Sequence, residues 1–319
     1  MIVFNLWPFD KPVLSKHLFI FGLALVFLSS VFLSSCSNST QNSSDKITSV
    51  DTITCWVDSS LQVLAQEQVK AFHNIYKFPR LKLQIHSEAD IVKGLLDNQV
   101  NLAILHRNLD SVEMGIVHKR ESFMPKQYEY AFDAYVLVTS RTTEFDSVNL
   151  NAVLDYLEGR PSVLKAILVE NIKSQSLMFL KQHFQLENKA LSRLNSLGTL
   201  SEMMTYLRSS KQTIGVIPFS LIADIEAEKT VKFLEGLKVL KLNYKDKTGK
   251  TITIEPSQSS IATKEYPLIS PIVLVNCNMD KKSGTNFVNY IFKPKAQRLI
   301  QQFGLCPAVF PGREIVIQQ

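Results

Sequence analysis

The sequence is short of glycine and cysteine, and it lacks the motifs of common catalytic and metal sites. Its 319 residues include 11 glycines and four cysteines. It contains no Gly-rich phosphate loop, no Gly-x-Ser-x-Gly elbow and no His-Glu-x-x-His motif, and its histidines are scattered. No group of cysteines and histidines has the spacing of zinc ligands. We therefore expect no enzyme, no resident metal and no cofactor.

Basic residues are also scattered, without the interleaved aromatic residues that are typical of nucleic-acid binders. The formal net charge is only +6, with 45% hydrophobic and 20% charged residues, as in an ordinary soluble domain. This mild positive excess suits an anionic ligand or a lipid surface but specifies neither. Nucleic acid is not an expected partner.

One long apolar run stands near the N-terminus, over Leu18–Phe32, and it ends in Leu33-Ser34-Ser35-Cys36. This short motif resembles the lipobox of bacterial lipoproteins, and a run of about 15 residues is short for a membrane-spanning helix. We predict a signal peptide over residues 1–35, lipidation of Cys36, and a flexible polar tether over residues 36–50. The protein would then lie on the periplasmic side of a bacterial membrane. The alternative is an uncleaved anchor with an incidental cysteine.

If Cys36 carries lipid, three cysteines are left, an odd number for an oxidising compartment. Cys55 and Cys277 lie in or beside apolar strand-like runs, which favours buried thiols. A Cys277–Cys306 disulfide stays open as an alternative, because the sequence does not give their separation.

From Ile53 onward, short β-branched runs alternate with amphipathic helical windows. The first three strands and the two helices between them form consecutive βαβ units, which predict a parallel sheet with right-handed crossovers. The same alternation then repeats, so we expect two α/β halves. The predicted strands are Ile53–Val57, Leu81–Ile85, Leu102–Leu105, Ala134–Thr139, Ala166–Val169, Ile214–Ile217, Val239–Tyr244, Thr251–Ile254 and Ile272–Val275, and a last helix over Phe287–Phe303 contains Pro294.

Ligands of open parallel sheets bind beyond the carboxyl ends of the strands, where helix N-termini offer unpaired N–H groups. Three such junctions carry hydroxyl residues: Val57-Asp58-Ser59-Ser60, His86-Ser87-Glu88 and Lys173-Ser174-Gln175-Ser176. Serine and aspartate are also the ordinary N-cap residues of any helix. Each junction is therefore either a ligand contact or a plain cap.

Arg107 directly follows the third strand, where a guanidinium group suits an oxyanion. A surface arginine in a turn is the equally open alternative. Asp133 precedes a strongly apolar strand. We expect it either to accept a hydrogen bond from a protonated oxyanion or to hold Arg107 in place.

Several segments, in this order, resemble the phosphate-binding lipoproteins of phosphate ABC importers, in the divergent form of Bacteroidetes-like bacteria. The resemblance implies a type II periplasmic-binding-protein fold, in which two α/β lobes are joined by two crossing strands and hold the ligand between them. The matching segments are Ser87–Asp90, Leu102–Leu109, Phe132–Ala134, Ile214–Ile217, Glu265–Leu268 and Phe303–Ala308.

The resemblance also implies the lobe boundaries and the site. Residues 51–135 and 260–319 would form the first lobe, and residues 136–259 the second. Two positions depart from the family pattern: Gln175 stands where a glycine is usual, and Glu170 stands near the usual place of an arginine. The implied ligand-binding residues are Ser59, Ser60, Leu61, Ser87, Arg107, Ser174 and Ser176, with Asp133 as a weaker candidate.

These patterns together predict a monomeric, non-catalytic solute-binding lipoprotein. It would capture inorganic phosphate or a related oxyanion and deliver it to an ABC permease in the inner membrane. The alternative is a sensor or adaptor lipoprotein that has the same fold and no ligand. The departures at Gln175 and Glu170 favour that alternative.

Overall fold

The apolar runs predicted from residue 53 onward form strands or faces of helices in the computed structural model, which describes residues 52–77, 80–224, 226–246, 248–277 and 284–311. These residues all belong to one compact unit. The predicted signal peptide, Cys36 and the tether over residues 36–50 lie outside the described residues.

The strands of the described residues are β1 (Thr52–Asp58), β2 (Arg80–His86), β3 (Leu102–Leu105), β4 (Lys126–Ser140), β5 (Ser147–Asn149), β6 (Ala166–Val169), β7 (Leu194–Ser196), β8 (Thr213–Pro218), β9 (Leu237–Val239), β10 (Lys241–Lys245), β11 (Thr251–Ile254), β12 (Ile269–Asn276) and β13 (Cys306–Pro307).

The helices are α1 (Gln62–His73), α2 (Glu88–Leu96), α3 (Ser111–Glu121), α4 (Leu150–Glu158), α5 (Gln175–His183), α6 (Asn188–Leu191), α7 (Leu200–Ser209), α8 (Glu228–Phe233), α9 (Gln258–Ala262), α10 (Thr285–Ile291) and α11 (Pro294–Gln302). Single 3-10 turns cover Ser59–Leu61 and Phe219–Leu221.

The main sheet has the strand order β2-β1-β3-β12-β4-β8-β6-β7, and β13 and β9 also pair with β4. Strands β1, β2 and β3 run parallel, as the βαβ pattern predicts, whereas β12 pairs antiparallel with both β3 and β4. The sheet is therefore mixed. The fold is α/β with a central sheet, as expected from the sequence.

Strand β4 belongs to two groups of strands. Its first part pairs with β12 and β13 up to Ala134, and from Tyr135 onward it pairs with β8 and β9. We call β1, β2, β3, β12 and β13 the first strand group, and β6, β7, β8 and β9 the second strand group. The change of partners at Ala134 and Tyr135 means that one continuous strand fixes the relative position of the two groups.

Two predicted elements are divided in the structure. The predicted strand Val239–Tyr244 is wrong as a single element, because the chain leaves the main sheet at Leu240 and enters a small sheet of order β11-β10-β5. The predicted helix Phe287–Phe303 is interrupted at Pro294, as expected for a residue without an N–H group. Pro294 instead begins α11, where its lack of a donor costs nothing.

Cys55, Cys277 and Cys306 are free thiols, and all three are buried. The Cys277–Cys306 disulfide that the sequence left open is not formed. Burial raises the pKa of the Cys277 thiol to about 11, so it stays protonated at neutral pH. No helix in the described ranges has the length and apolarity to cross a bilayer.

The two helical glycines Gly94 and Gly115 give a matched test of packing. A Cβ atom on Gly94 would lie 2.2 Å from the indole ring of Trp56, whereas a Cβ on Gly115 would meet no atom within 4 Å. We expect Gly94→Ala to destabilise the fold by about 1–3 kcal/mol, because an overpacked contact must shift. Gly115→Ala should stabilise it by about 0.5–1 kcal/mol, through helix propensity alone.

Urea unfolding of the two variants measures both effects. Equal stabilisation by the two alanines would contradict the close packing of α2 on Trp56.

Candidate functional site

The three serine-bearing junctions converge at one cleft between the strand groups. Ser60 Oγ, before α1, lies 3.1 Å from His106 Nε2, after β3. From the second group, Gln175 Nε2 in α5 donates a hydrogen bond to Asp58 Oδ1 at 2.8 Å. Lys173 Nζ, just before α5, lies 2.9 Å from Asp90 Oδ1 in α2. The N-terminal end of α5 therefore reaches the N-terminal ends of both α1 and α2.

Asp58 is the buried acceptor at the centre of these contacts. Its Oδ1 accepts hydrogen bonds from the Ser60 backbone N–H at 2.9 Å, the Ser60 hydroxyl at 2.9 Å and the Gln175 amide at 2.8 Å. Gln175 Nε2 also contacts the Ser60 hydroxyl. Burial raises the pKa of Asp58 to about 6, although the hydrogen bonds from Ser60 oppose this rise.

His106 and Asp133 lie side by side beneath the cleft, and both are buried. His106 Nδ1 is 3.7 Å from Asp133 Oδ2, too long for a hydrogen bond. Burial lowers the pKa of His106 to about 3, so its ring is neutral. Asp133 Oδ1 accepts hydrogen bonds from the backbone N–H groups of Ala134 (2.7 Å) and Ser220 (2.9 Å). Burial nevertheless raises the pKa of Asp133 to about 7.

Two carboxylates hold the Arg107 side chain. Its Nε donates to Glu88 Oε1 at 2.7 Å, and its Nη1 and Nη2 donate to the two oxygens of Glu113 at 2.7 and 2.9 Å. Asn108 O accepts a further bond from Nη1. Asp133 therefore does not hold Arg107 in place, contrary to one of the two sequence-based expectations. The reason is that Glu88 and Glu113 lie on the helices that flank the end of β3.

Glu88 is buried despite this ion pair. Burial is the largest influence on its carboxyl group and raises its pKa to about 7, whereas Arg107 lowers it. The charges of Asp58 and Glu113 raise it further. The acidic groups of the cleft are thus close enough to disfavour one another's ionisation.

A cavity of about 230 Å³ opens beside these groups. Three rings line it and stack: Tyr135 on Phe179, with centroids 4.1 Å apart, and Phe179 on His183, with centroids 5.2 Å apart. Glu88, Arg107 and Gln175 contribute polar groups to its lining. The cavity combines an aromatic wall with carboxyl and amide groups.

A larger groove of about 1130 Å³ lies elsewhere, next to α8, β9 and β10. Two of its lysines are already paired: Lys238 lies beside Asp146, and Lys241 Nζ lies 3.3 Å from Glu255. None of the residues predicted to bind ligand lines this groove. We therefore place the candidate site at the smaller cavity.

The ligand-binding residues predicted from the sequence lie in different environments. Ser60 lies in the cleft, and Ser87 and Ser174 form the N-caps of α2 and α5, accepting from Asp90 N at 3.3 Å and Leu177 N at 3.4 Å. Ser59 is exposed, Ser176 is buried, and the Leu61 side chain is part of the hydrophobic core. Whether any of them touches a ligand stays a prediction.

Sequence reasoning did not select Asp58, Glu88, His106 or Gln175 as site residues. A signal for Glu88 was available, because Glu88 follows β2 and Arg107 follows β3, and these two parallel strands, on either side of β1, end at the same sheet edge. No local pattern indicated that the Gln175 side chain crosses the cleft. Among the described residues, no three His, Cys, Asp or Glu side chains are arranged to hold a metal ion.

Comparisons with known proteins agree with this architecture. Residues 42–295 match the sequence model of a family described as the PBP superfamily domain. A putative phosphate ABC transporter substrate-binding protein with bound phosphate, from Clostridium perfringens, superposes with a TM-score of 0.59 at 14% identity, covering 81% of this chain and 100% of that chain.

An ABC-type phosphate transport receptor from Vibrio cholerae gives a TM-score of 0.58 at 15% identity, covering 80% of this chain and 99% of that chain. PstS from Borrelia burgdorferi gives 0.53 at 15% identity, covering 81% of this chain and 98% of that chain. No curated protein sequence matches the chain. At these identities the structural matches establish the fold, and the predicted resemblance is confirmed at that level.

Replacing Arg107 should show how much the buried Glu88 carboxylate lowers the free energy of unfolding when it has no cation. Arg107→Met leaves Glu88, which is 2% exposed, without its cation. We expect a loss of about 3–5 kcal/mol in the free energy of unfolding at pH 8, as for other broken buried pairs. The double variant Arg107→Met/Glu88→Gln should recover much of this loss, since the buried charge is gone. Urea unfolding measures both, and a single variant as stable as the wild type would contradict the paired arrangement.

The raised pKa values of Asp58, Glu88 and Asp133 predict a pH dependence of stability. Between about pH 4 and pH 7 these three carboxyl groups bind more protons in the folded protein than in the unfolded chain, so their contribution to stability should fall as pH rises through this window. Asp133→Asn keeps an acceptor for Ala134 and Ser220 and removes one titrating group. Its urea midpoint should therefore fall less between pH 5 and pH 8 than that of the wild type. The exposed Glu144→Gln variant is the control, and an equal fall in both variants would contradict the role of Asp133.

Proposed function

Because the chain belongs to the PBP superfamily, we propose that it is a solute-binding protein that captures a small polar solute and delivers it to an ABC permease. The solute occupies the cavity of about 230 Å³ beside Glu88, Tyr135 and Gln175. The lobes predicted from the sequence, residues 51–135 plus 260–319 and residues 136–259, would then both contribute residues to its lining.

The contacts across the cleft are the main support for this proposal. Gln175 bonds to Asp58, and Lys173 pairs with Asp90, so the second strand group closes on the first through the N-terminal end of α5. One of these links is an exposed ion pair, worth about 0–1 kcal/mol. Such weak links can open and close, and a solute that contacts both groups would favour the closed form.

Phosphate or a related oxyanion is the ligand that the sequence predicts. The serine-bearing N-termini of α2 and α5 and the Ser60 hydroxyl near the cleft support it, as does the bound phosphate of the Clostridium perfringens protein with this fold. The pairing of Arg107 with Glu88 and Glu113 counts against it, because the guanidinium charge is already offset. The solute-binding role does not depend on which ligand is held.

The place of action follows from the N-terminal motif. Cleavage before Cys36 and lipidation of its thiol would anchor a monomer to the periplasmic side of the membrane. The polar segment 36–50 would then let the domain reach a permease in the inner membrane.

A second candidate function is that of an adaptor or sensor without a ligand. The Gln175 side chain favours it, because it fills part of the cleft and satisfies Asp58 and Ser60 from within the protein. In this case the closed cleft is the resting form, and the lipoprotein works through a protein partner at the membrane.

Thermal unfolding of the full-length protein in mild detergent separates the two candidates. The panel contains phosphate, sulfate, molybdate, and neutral and cationic small metabolites. Solute capture predicts that one of them raises the midpoint in a saturable way, worth about 2.7 kcal/mol at a hundredfold excess over its dissociation constant. If no solute shifts the midpoint, solute capture is contradicted and the adaptor function is favoured.

A further inference from the structure

We propose that the solute held in this cleft is a small organic cation with a protonated amine. This inference rests on the proposed solute-binding function and names its ligand class. It starts from the charges around the cavity, which differ from those of an oxyanion site.

Carboxyl groups outnumber cations at the cleft. Glu88 lines the cavity, and Asp58 bonds to Gln175, which also lines it. The charge of Glu170 acts on Asp58, and the charge of Asp58 acts on Glu88 and Asp133. Glu88 already pairs with Arg107, whereas Asp58 and Glu170 have no ion pair among the described contacts. A cation beside these two carboxyl groups would relieve their repulsion, and an added anion would increase it.

The cations near the cavity are already engaged. Arg107 uses Nε, Nη1 and Nη2 on Glu88 and Glu113, so two carboxylates offset one guanidinium charge. Lys173 is exposed and pairs with Asp90. A dianion entering the cavity would have to compete with these carboxylates for the same donors.

Unpartnered acceptors supply the second observation. Gln175 Oε1 and the Tyr135 hydroxyl have no hydrogen-bond partner, although the two residues are only 5% and 1% exposed. Both residues line the cavity. The Tyr135 hydroxyl can donate or accept and so favours neither charge. The bonds of Gln175 Nε2 to Asp58 and Ser60 leave the amide oxygen unpaired, and this oxygen can only accept a hydrogen bond. A buried acceptor without a donor is costly, and an ammonium group offers three donors.

The aromatic wall fits the same class of ligand. Tyr135, Phe179 and His183 stack along the cavity. Because Phe179 stacks with both of the other rings, these faces contact one another, and the rings offer the cavity an apolar surface rather than a cation–π contact. Carboxylates on one side and rings on the other form a site for an amine with an apolar body.

Isothermal titration of the full-length protein in detergent tests the inference. The probes are putrescine, ethanolamine, glycerol and sodium phosphate, at constant ionic strength and pH 8. We expect saturable 1:1 binding of an amine and none of phosphate. Glu88→Gln should weaken amine binding about tenfold or more, the usual cost of losing one charged hydrogen bond. Glu170→Gln and Phe179→Leu should weaken it as well.

Matched controls separate site effects from general charge effects. Glu144→Gln removes one exposed carboxylate outside the cleft and should leave amine binding unchanged. Because Glu88 pairs with Arg107, Glu88→Gln can fail to fold, and Glu170→Gln then tests the same point. Glu170 is partly exposed and has a hydrogen bond to Asn171 alone among the described contacts.

The pH dependence of amine binding is an independent test of the charge of the ligand. Protonation of the cleft carboxyl groups at pH 5.5 should weaken amine binding about tenfold or more relative to pH 8, because the ligand loses its counter-charges. An oxyanion would show the opposite trend. The charged and titratable groups that line the cavity are Glu88 (α2), His106 and Arg107 (after β3), Tyr135 (β4) and His183 (α5). Those that contact them or interact with their charges are Asp58 (β1), Glu113 (α3), Asp133 (β4) and Glu170 (before α5), and Asp90 (α2) pairs with Lys173 (before α5).

Each outcome has a distinct meaning. Saturable binding of phosphate or glycerol without amine binding contradicts the cationic ligand but supports the solute-binding function. Amine binding that Glu170→Gln and Phe179→Leu leave unchanged places the amine elsewhere and overturns the proposed site. If no probe binds in the titration and no solute of the thermal panel shifts the midpoint, both the cation proposal and the solute-capture proposal are contradicted.

Discussion

The architecture depends on one continuous strand that is hydrogen-bonded to both strand groups. Strand β4 pairs with β12 and β13 before Tyr135 and with β8 and β9 after it. The backbone donors and acceptors of a buried strand must be satisfied, so the change of partners fixes where the two groups meet. Asp133 lies at this point and accepts the N–H groups of Ala134 and Ser220, one on β4 and one in the turn after β8. The cleft therefore lies at the place where β4 changes partners.

Burial, rather than pairing, decides the electrostatics of that cleft. Asp58, Glu88 and Asp133 each accept hydrogen bonds, and Glu88 also faces a guanidinium group. Desolvation is nevertheless the largest influence on all three carboxyl groups, and it raises their pKa values toward neutrality. A site of this kind changes its charge between mildly acidic and neutral pH. It can hold an external cation only where the carboxyl groups have lost their protons.

The fold is shared with phosphate-binding proteins, but a shared fold does not imply a shared ligand. Gln175 and Glu170, the two departures seen in the sequence, both act at the cleft. Gln175 sends an amide across to Asp58, and the charge of Glu170 acts on that same carboxyl group. Relative to the family pattern that the sequence resembles, Gln175 adds an amide side chain and Glu170 places a carboxylate near the usual position of an arginine. Such differences in the cleft lead either to a different class of ligand or to no ligand.

The sequence by itself determined the order of strands and helices, because each element carries its own periodicity, its own caps and its own breakers. The parallel pairing of β1, β2 and β3, the interruption at Pro294 and the burial of Cys55 and Cys277 follow from such local patterns. Local patterns also indicated that Ser60 and Arg107 lie near strand ends, whereas Asp133, which was predicted to precede a strand, lies within β4. Only the tertiary structure decided their partners: Arg107 meets Glu88 and Glu113, and Gln175 reaches Asp58 across 117 residues of chain. Such contacts join elements that are distant in the chain, and their energies depend on burial that only the packed fold creates.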